Sequence, residues 1–99
     1  MLTTQEKIEG YENYRRDILT TNPRPKWIIV HMESLWMDIT QAGYLPIIKT
    51  GGGMMIWKSP TGEFVSRNGT HTRGEVVKRL WRAGISLRYA ERVLEAARS

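Results

Sequence analysis

Three groups of side chains in this sequence could do chemistry: Lys58-Ser59 downstream of a glycine run, two histidines, and arginines and lysines crowded into the C-terminal third. Gly52 and Lys58-Ser59 stand at the first glycine and the terminal Lys-Ser of a Gly-x-x-x-x-Gly-Lys-Ser phosphate loop. The second glycine is replaced by Trp57, whose indole obstructs the approach of backbone amides to phosphate, and Pro60 follows where a helix would start. The run is therefore read as a loop entering a hairpin. His31 lies in an apolar stretch and suits a core or rim histidine better than a ligand, and no His-x-x-x-His or Asp-x-Asp spacing is present. His71, between Thr70 and Thr72, has hydroxyls beside it but no sequence partner to orient it as a general base. Glu33 and Asp38, five apart, read as a solvated helix edge. Cysteine is absent, which rules out disulfides and thiolate metal sites. No enzyme, cofactor or metal site is expected.

The elements that would position these groups follow from pattern. Thr3 and Glu6 have capping-box spacing and predict a first helix from about Thr4 to Leu19, with Ile8, Tyr11, Tyr14 and Ile18 on its apolar face. Asn22-Pro23-Arg24-Pro25 breaks the chain. Trp27 to Ala42 is apolar at ten of sixteen positions and ends at Gly43, a natural helix C-cap. Its Trp27-Ile28-Ile29-Val30 start also suits a buried strand, and a central helix is the expectation. The period then changes to that of strands at Leu45 to Thr50, Met54 to Ser59 and Glu63 to Arg67. Gly51-Gly52-Gly53 links the first two, Ser59-Pro60-Thr61-Gly62 forms a hairpin turn, and Asn68-Gly69 a further turn. The predicted fold class is α+β, with four helices and a small antiparallel β-hairpin or sheet in the middle.

Charge is segregated along this frame. From Lys49 onward there are ten Lys or Arg against four Asp or Glu, whereas Met1 to Ile48 has five against six. Thr72 and Glu75 repeat the capping-box spacing and predict a helix from about Arg73 to Ala83. It buries Val76, Val77, Leu80 and Trp81 and leaves Lys78, Arg79 and Arg82 toward water. Gly84 ends it, Ile85 plugs the turn, and Ser86 caps a last helix, Leu87 to Arg98, which packs through Leu87, Ala90, Leu94 and Ala97. The Gly84-Ile85-Ser86 turn, with apolar Ala90 and Val93 after it, resembles the helix-turn-helix of DNA-binding regulators. That resemblance implies that Leu87 to Arg98 is a recognition helix. Arg88 and Arg92 would then enter the major groove, with Ser86 and Tyr89 at the helix entry. Arg73, Lys78, Arg79 and Arg82 would hold the phosphate backbone, and Lys58 and Arg67 of the hairpin would form a flanking arm.

Length and composition bound the rest. The 99 residues suit one small domain, and 40% apolar content with nine aromatics opposes disorder. No apolar run approaches a membrane span, and the first residues lack the blocks of a secretory signal, so a cytoplasmic protein is expected. The primary expectation is a small basic regulatory protein that binds double-stranded DNA. Such readers commonly pair, and Trp27, Ile29 and Trp36 on the apolar central helix are the candidate homodimer contacts. The alternative is a small protein-interaction module or inhibitor, of the kind mobile elements encode. It would cover an acidic or nucleic-acid-binding partner protein through its basic and apolar surface.

Overall fold

Helix α1 (Thr4–Thr20) opens the computed structural model, which describes residues 1–21, 23–49 and 55–98. The Thr3 hydroxyl accepts the Glu6 amide at 3.1 Å while the Glu6 carboxylate accepts the Thr3 amide at 3.0 Å. Two backbone donors that a helix start would otherwise strand are thereby satisfied. Helix α2 (Lys26–Gln41) closes on Gly43, whose φ is 91°. The Gly43 amide donates to the Thr40 carbonyl and the Tyr44 amide to the Ile39 carbonyl, the paired bonds of a left-handed glycine stop. A Cβ on Gly43 would also stand 3.0 Å from the Pro60 ring, so this glycine lets the hairpin turn lie against the end of α2.

Strands β1 (Leu45–Lys49), β2 (Met55–Lys58), β3 (Phe64–Ser66) and β4 (Gly69–His71) form one antiparallel sheet in sequence order. The Ser59–Gly62 turn is closed by Gly62 donating to Ser59 and by Ser59 donating to Glu63. The Asn68-Gly69 turn leads into β4, which pairs Phe64 with His71 and Ser66 with Gly69. Three residues beginning with glycine carry no alternating apolar signal, which is why that fourth strand escaped the sequence reading. The Gly51–Gly53 link, Thr50, Met54 and Asn22 lie outside the described residues.

Alternation along the strands divides the core in two. Met55, Trp57 and Val65 point to one face, where they meet Ile8, Tyr11 and Ile39 of α1 and α2. Ile56 and Ile48 point to the other face, where α3 (Arg73–Arg82) and α4 (Leu87–Arg98) bring Val76, Leu80, Ala90 and Leu94. The register of β1 slips between Pro46 and Ile48, a bulge that leaves both Ile47 and Ile48 beside the second cluster. The described residues thus give an α+β sandwich of helix pair, sheet and helix pair. None of its helices, among the described residues, is long and apolar enough to cross a membrane.

Several side chains depart from the expected packing. Trp81, expected in the core, is 62% exposed, and Leu87 is 48% exposed. Val76 and Leu80 already fill the space against the sheet, and Trp81 lies a further 100° around the helix. Trp27, Ile29 and Trp36 do not form one patch. Trp27 and Ile29 lie roughly 200° apart around α2. Trp27 sits edge-on to Tyr14 and His31, whereas Trp36 is half-buried against Tyr11 and Trp57. His31 is an exposed rim residue stacked on Tyr14 at 6.0 Å.

Candidate nucleic-acid interface

The C-terminal helix pair is fixed at three points before any side chain faces outward. Thr72 and Glu75 cap α3 reciprocally, the hydroxyl accepting the Glu75 amide at 3.2 Å and the carboxylate accepting the Thr72 amide at 3.4 Å. At the far end, Gly84 takes φ of 86° and its amide donates to the Trp81 carbonyl at 3.0 Å. The Ile85 amide donates to the Leu80 carbonyl at 2.9 Å, which completes the glycine stop, and Ile85 packs on the second core cluster. Ser86 then starts α4, its hydroxyl accepting the Tyr89 amide at 3.2 Å.

With Ala90 and Leu94 fully buried, the opposite side of α4 faces solvent. Arg88 and Arg92 stand there one turn apart, with Tyr89 exposed beside them. Neither arginine makes an ion pair among the described residues. Of the two acidic residues of α4, Glu95 takes Arg73 of α3 at 3.3 Å, and Glu91 is exposed. Lys78 and Arg82 are exposed on the outer side of α3. Ser86, Arg88, Tyr89, Arg92, Lys78 and Arg82 therefore remain available together on one helix pair. Ala97 and Arg98, expected on this helix, lie outside the described side chains.

Four other expected contacts are committed elsewhere. Arg73 holds Glu95. Lys58 lies half-buried in β2, paired with Leu45 and Phe64 of the neighbouring strands. Ser59, its neighbour in the glycine-run reading, is buried in the turn with its hydroxyl accepting the Glu63 amide at 3.0 Å, and no helix follows. Arg67 and Arg79 gather with Arg16 around the buried Glu12 of α1. In the favoured orientation of the Asn68 amide, its oxygen accepts from the Arg79 guanidinium at 3.0 Å. Gln5 of α1 donates to the Ser66 carbonyl at 2.9 Å. The β3–β4 turn is thus clamped from both layers, and the hairpin offers no basic arm of its own.

Glu12 is the buried charge that sequence reading missed, because its neighbours Arg67 and Arg79 are far away in the chain. Burial pushes its carboxyl above the ordinary 4.5, against the downward pull of Arg16, Arg67 and Arg79. A folded-state value above the unfolded one means the folded protein binds this proton more tightly. Its contribution therefore favours folding at low pH and fades as pH rises from about 4.5 through the raised value. Glu12→Gln, which fixes the neutral form, is expected to flatten stability over that window and to exceed the parent protein at pH 7. Urea unfolding at pH 4 to 7 measures both; a Gln variant less stable at pH 7 means that attraction to the arginines outweighs burial. Glu6 and Glu75 act in the opposite sense below 4.5, since hydrogen bonds from Thr3 and Thr72 hold their carboxyls low.

His71, singled out in the sequence, touches the Ser66 hydroxyl through Nε2 at 2.6 Å and has Nδ1 3.5 Å from a Glu75 carboxylate oxygen. The order hydroxyl, imidazole, carboxylate is that of a hydrolytic triad. Ser66 and His71 are both buried, however, and the Ser66 hydroxyl already accepts the Asn68 amide at 3.1 Å. A sealed hydroxyl offers no path to a substrate, so Ser66 and His71 act as a polar lock within the β3–β4 hairpin, and Glu75 of α3 lies near an Nδ1 that makes no hydrogen bond. Among the described residues no group of three or more His, Asp or Glu could hold a metal ion. No known protein family, curated protein or solved structure matches the chain.

Proposed function

We propose that this protein is a small regulatory DNA-binding protein of the cytoplasm that docks α4 in the major groove of double-stranded DNA. The observation that carries the reading is the pair Arg88 and Arg92, one turn apart on the solvent side of a helix whose other side is locked to the sheet by Ala90 and Leu94. The twelve residues of α4 give a rod about 18 Å long, and the roughly 12 Å major groove admits a helix. Arg88 and Arg92 reach base edges, guanine above all, with Tyr89 and Ser86 at the helix entry. Lys78 and Arg82 hold phosphates, while Arg73 offsets the charge of Glu95, which shares the outward side of α4 with Arg88. Pairing through Trp27, Ile29 and Trp36 is not part of the proposal, since Trp27 lies on the opposite side of α2 from Ile29 and Trp36.

Fluorescence anisotropy of a mixed-sequence duplex tests the reading. With two phosphates held, by Lys78 and Arg82, the logarithm of affinity should fall against the logarithm of salt with a slope of about −2. Arg88→Ala/Arg92→Ala should weaken binding by roughly 100-fold and leave most of that slope in place, whereas Lys78→Ala/Arg82→Ala should remove it. Binding indifferent to Arg88→Ala/Arg92→Ala rejects groove docking.

One observation favours a second reading, the protein-interaction module. Trp81 and Leu87, both exposed, line with Val77, Gly74 and Lys78 an open apolar trough of about 560 Å³ along the outer side of α3. A partner protein would cover such an edge, and Trp is among the residues that most often anchor interfaces. Under that reading Trp81→Ala, not the arginine pair, abolishes the interaction.

A further inference from the structure

The other helix pair holds a second feature that DNA binding does not use. Between the C-terminal half of α1 and the outer side of α2 runs a trough of about 650 Å³. Ile18, Leu19, Ile29, Met32, Trp36 and Met37 line it. It is open along its length: Leu19 is 45%, Ile29 38% and Met37 56% exposed. A small-molecule pocket encloses most of its ligand, whereas a trough of this kind leaves one side of its occupant in water. Ile29, Met32 and Trp36 follow the i, i+3, i+7 spacing of one helix face and span about 10 Å, two turns of a helix laid alongside. The methionines add side chains that reshape to what they contact.

Charge selects the occupant. Arg15 of α1, Arg24 of the linker and Lys49 of β1 stand at the rim against the single acid Glu33. The Lys49 ammonium lies 4.9 Å from the centre of the Trp36 ring, directly beside the apolar floor. A second copy of this chain would bring the same cations to face these, and like charges across an interface oppose association. An occupant with apolar residues on one side and carboxylates on the other meets both the floor and the rim. We propose that this trough is a docking site for an acidic amphipathic helix of a partner protein, independent of the C-terminal helix pair.

The test uses the full chain and a fluorescein-labelled synthetic peptide with leucines at i, i+3, i+4 and i+7 and glutamates at most other positions. The control peptide carries lysine for glutamate. Anisotropy should show saturable binding of the acidic peptide and none of the lysine peptide. Arg24→Glu and Met37→Glu, both at exposed positions, should each weaken it about ten-fold or more, with the helical circular dichroism and duplex affinity of the parent protein retained. Arg88→Ala/Arg92→Ala should leave peptide binding unchanged, which separates the trough from the basic helix pair. Equal binding of the lysine peptide, or no loss in the trough variants, overturns the proposal. So does sedimentation showing a dimer that Met37→Glu dissolves, because the occupant is then a second copy.

Discussion

Trp57→Ala is expected to cost about 3–5 kcal/mol, the range for emptying a large aromatic from a packed core. Trp57 is fully buried on the central strand β2 and meets Trp36 at 5.2 Å and Tyr11 at 6.0 Å between ring centroids, the second pair edge to face. With Met55 and Val65, it is therefore one of the contacts through which the sheet grips both α1 and α2. Its indole Nε1 has no hydrogen-bond partner, so truncation forfeits packing alone and breaks no bond. Against a total stability of about 5–15 kcal/mol, the loss removes roughly a fifth or more of what holds the fold. Urea unfolding followed by circular dichroism should show the midpoint fall with an unchanged slope, and thermal unfolding should drop by more than about 10 °C. Trp57→Phe, which keeps a ring and discards the orphaned N–H, should cost clearly less. A shift for Trp57→Ala below about 1 kcal/mol would mean that the helix layer stands without this contact.

The same residue shows what the sequence could and could not reveal. Trp57 replaces the second glycine of a phosphate loop, and that local clash was enough to dismiss the loop. Its place at the centre of a cluster was not legible, because Tyr11 and Trp36 reach it from elements far away in the chain. Helix caps were legible, since Thr3 with Glu6, Thr72 with Glu75, Gly43 and Gly84 each act within a few residues of themselves. Strand β4 was not, because its pairing with β3 is made by backbone and by the Ser66–His71 contact, and not by an apolar pattern.

Site residues divide in the same way. Arg88, Arg92 and Tyr89 face solvent because the periodicity of α4 buries Ala90 and Leu94, and periodicity is written in the sequence. Arg67 and Arg79 looked equally basic, yet Glu12, about sixty residues upstream, draws them to the far edge of the sheet. A charge count cannot see which cations are already paired. Trp81 failed for a different reason: a helix that covers a narrow sheet buries a stripe only Val76 and Leu80 wide, and the indole at its margin is left outside.

Leu94→Ala should separate the docking of α4 from its charges. The substitution leaves Arg88, Arg92, Lys78 and Arg82 untouched and empties a fully buried site, at an expected cost of about 2–5 kcal/mol. Among the described side chains, Ala90 and Leu94 are the two that α4 buries completely, so the loss falls on the attachment of α4 before it falls on the rest of the fold. Amide hydrogen exchange should accelerate across Leu87–Arg98 far more than across α1 or β2. If a rigid, docked α4 is what enters the groove, only the docked fraction binds, and the apparent dissociation constant rises by the reciprocal of that fraction. Exchange rates and duplex affinity should then change together, with no DNA-contacting side chain altered. Unchanged affinity alongside fast exchange would show Arg88 and Arg92 acting as a loose basic arm. In that case their spacing on a helix would count for nothing, and binding would follow charge alone.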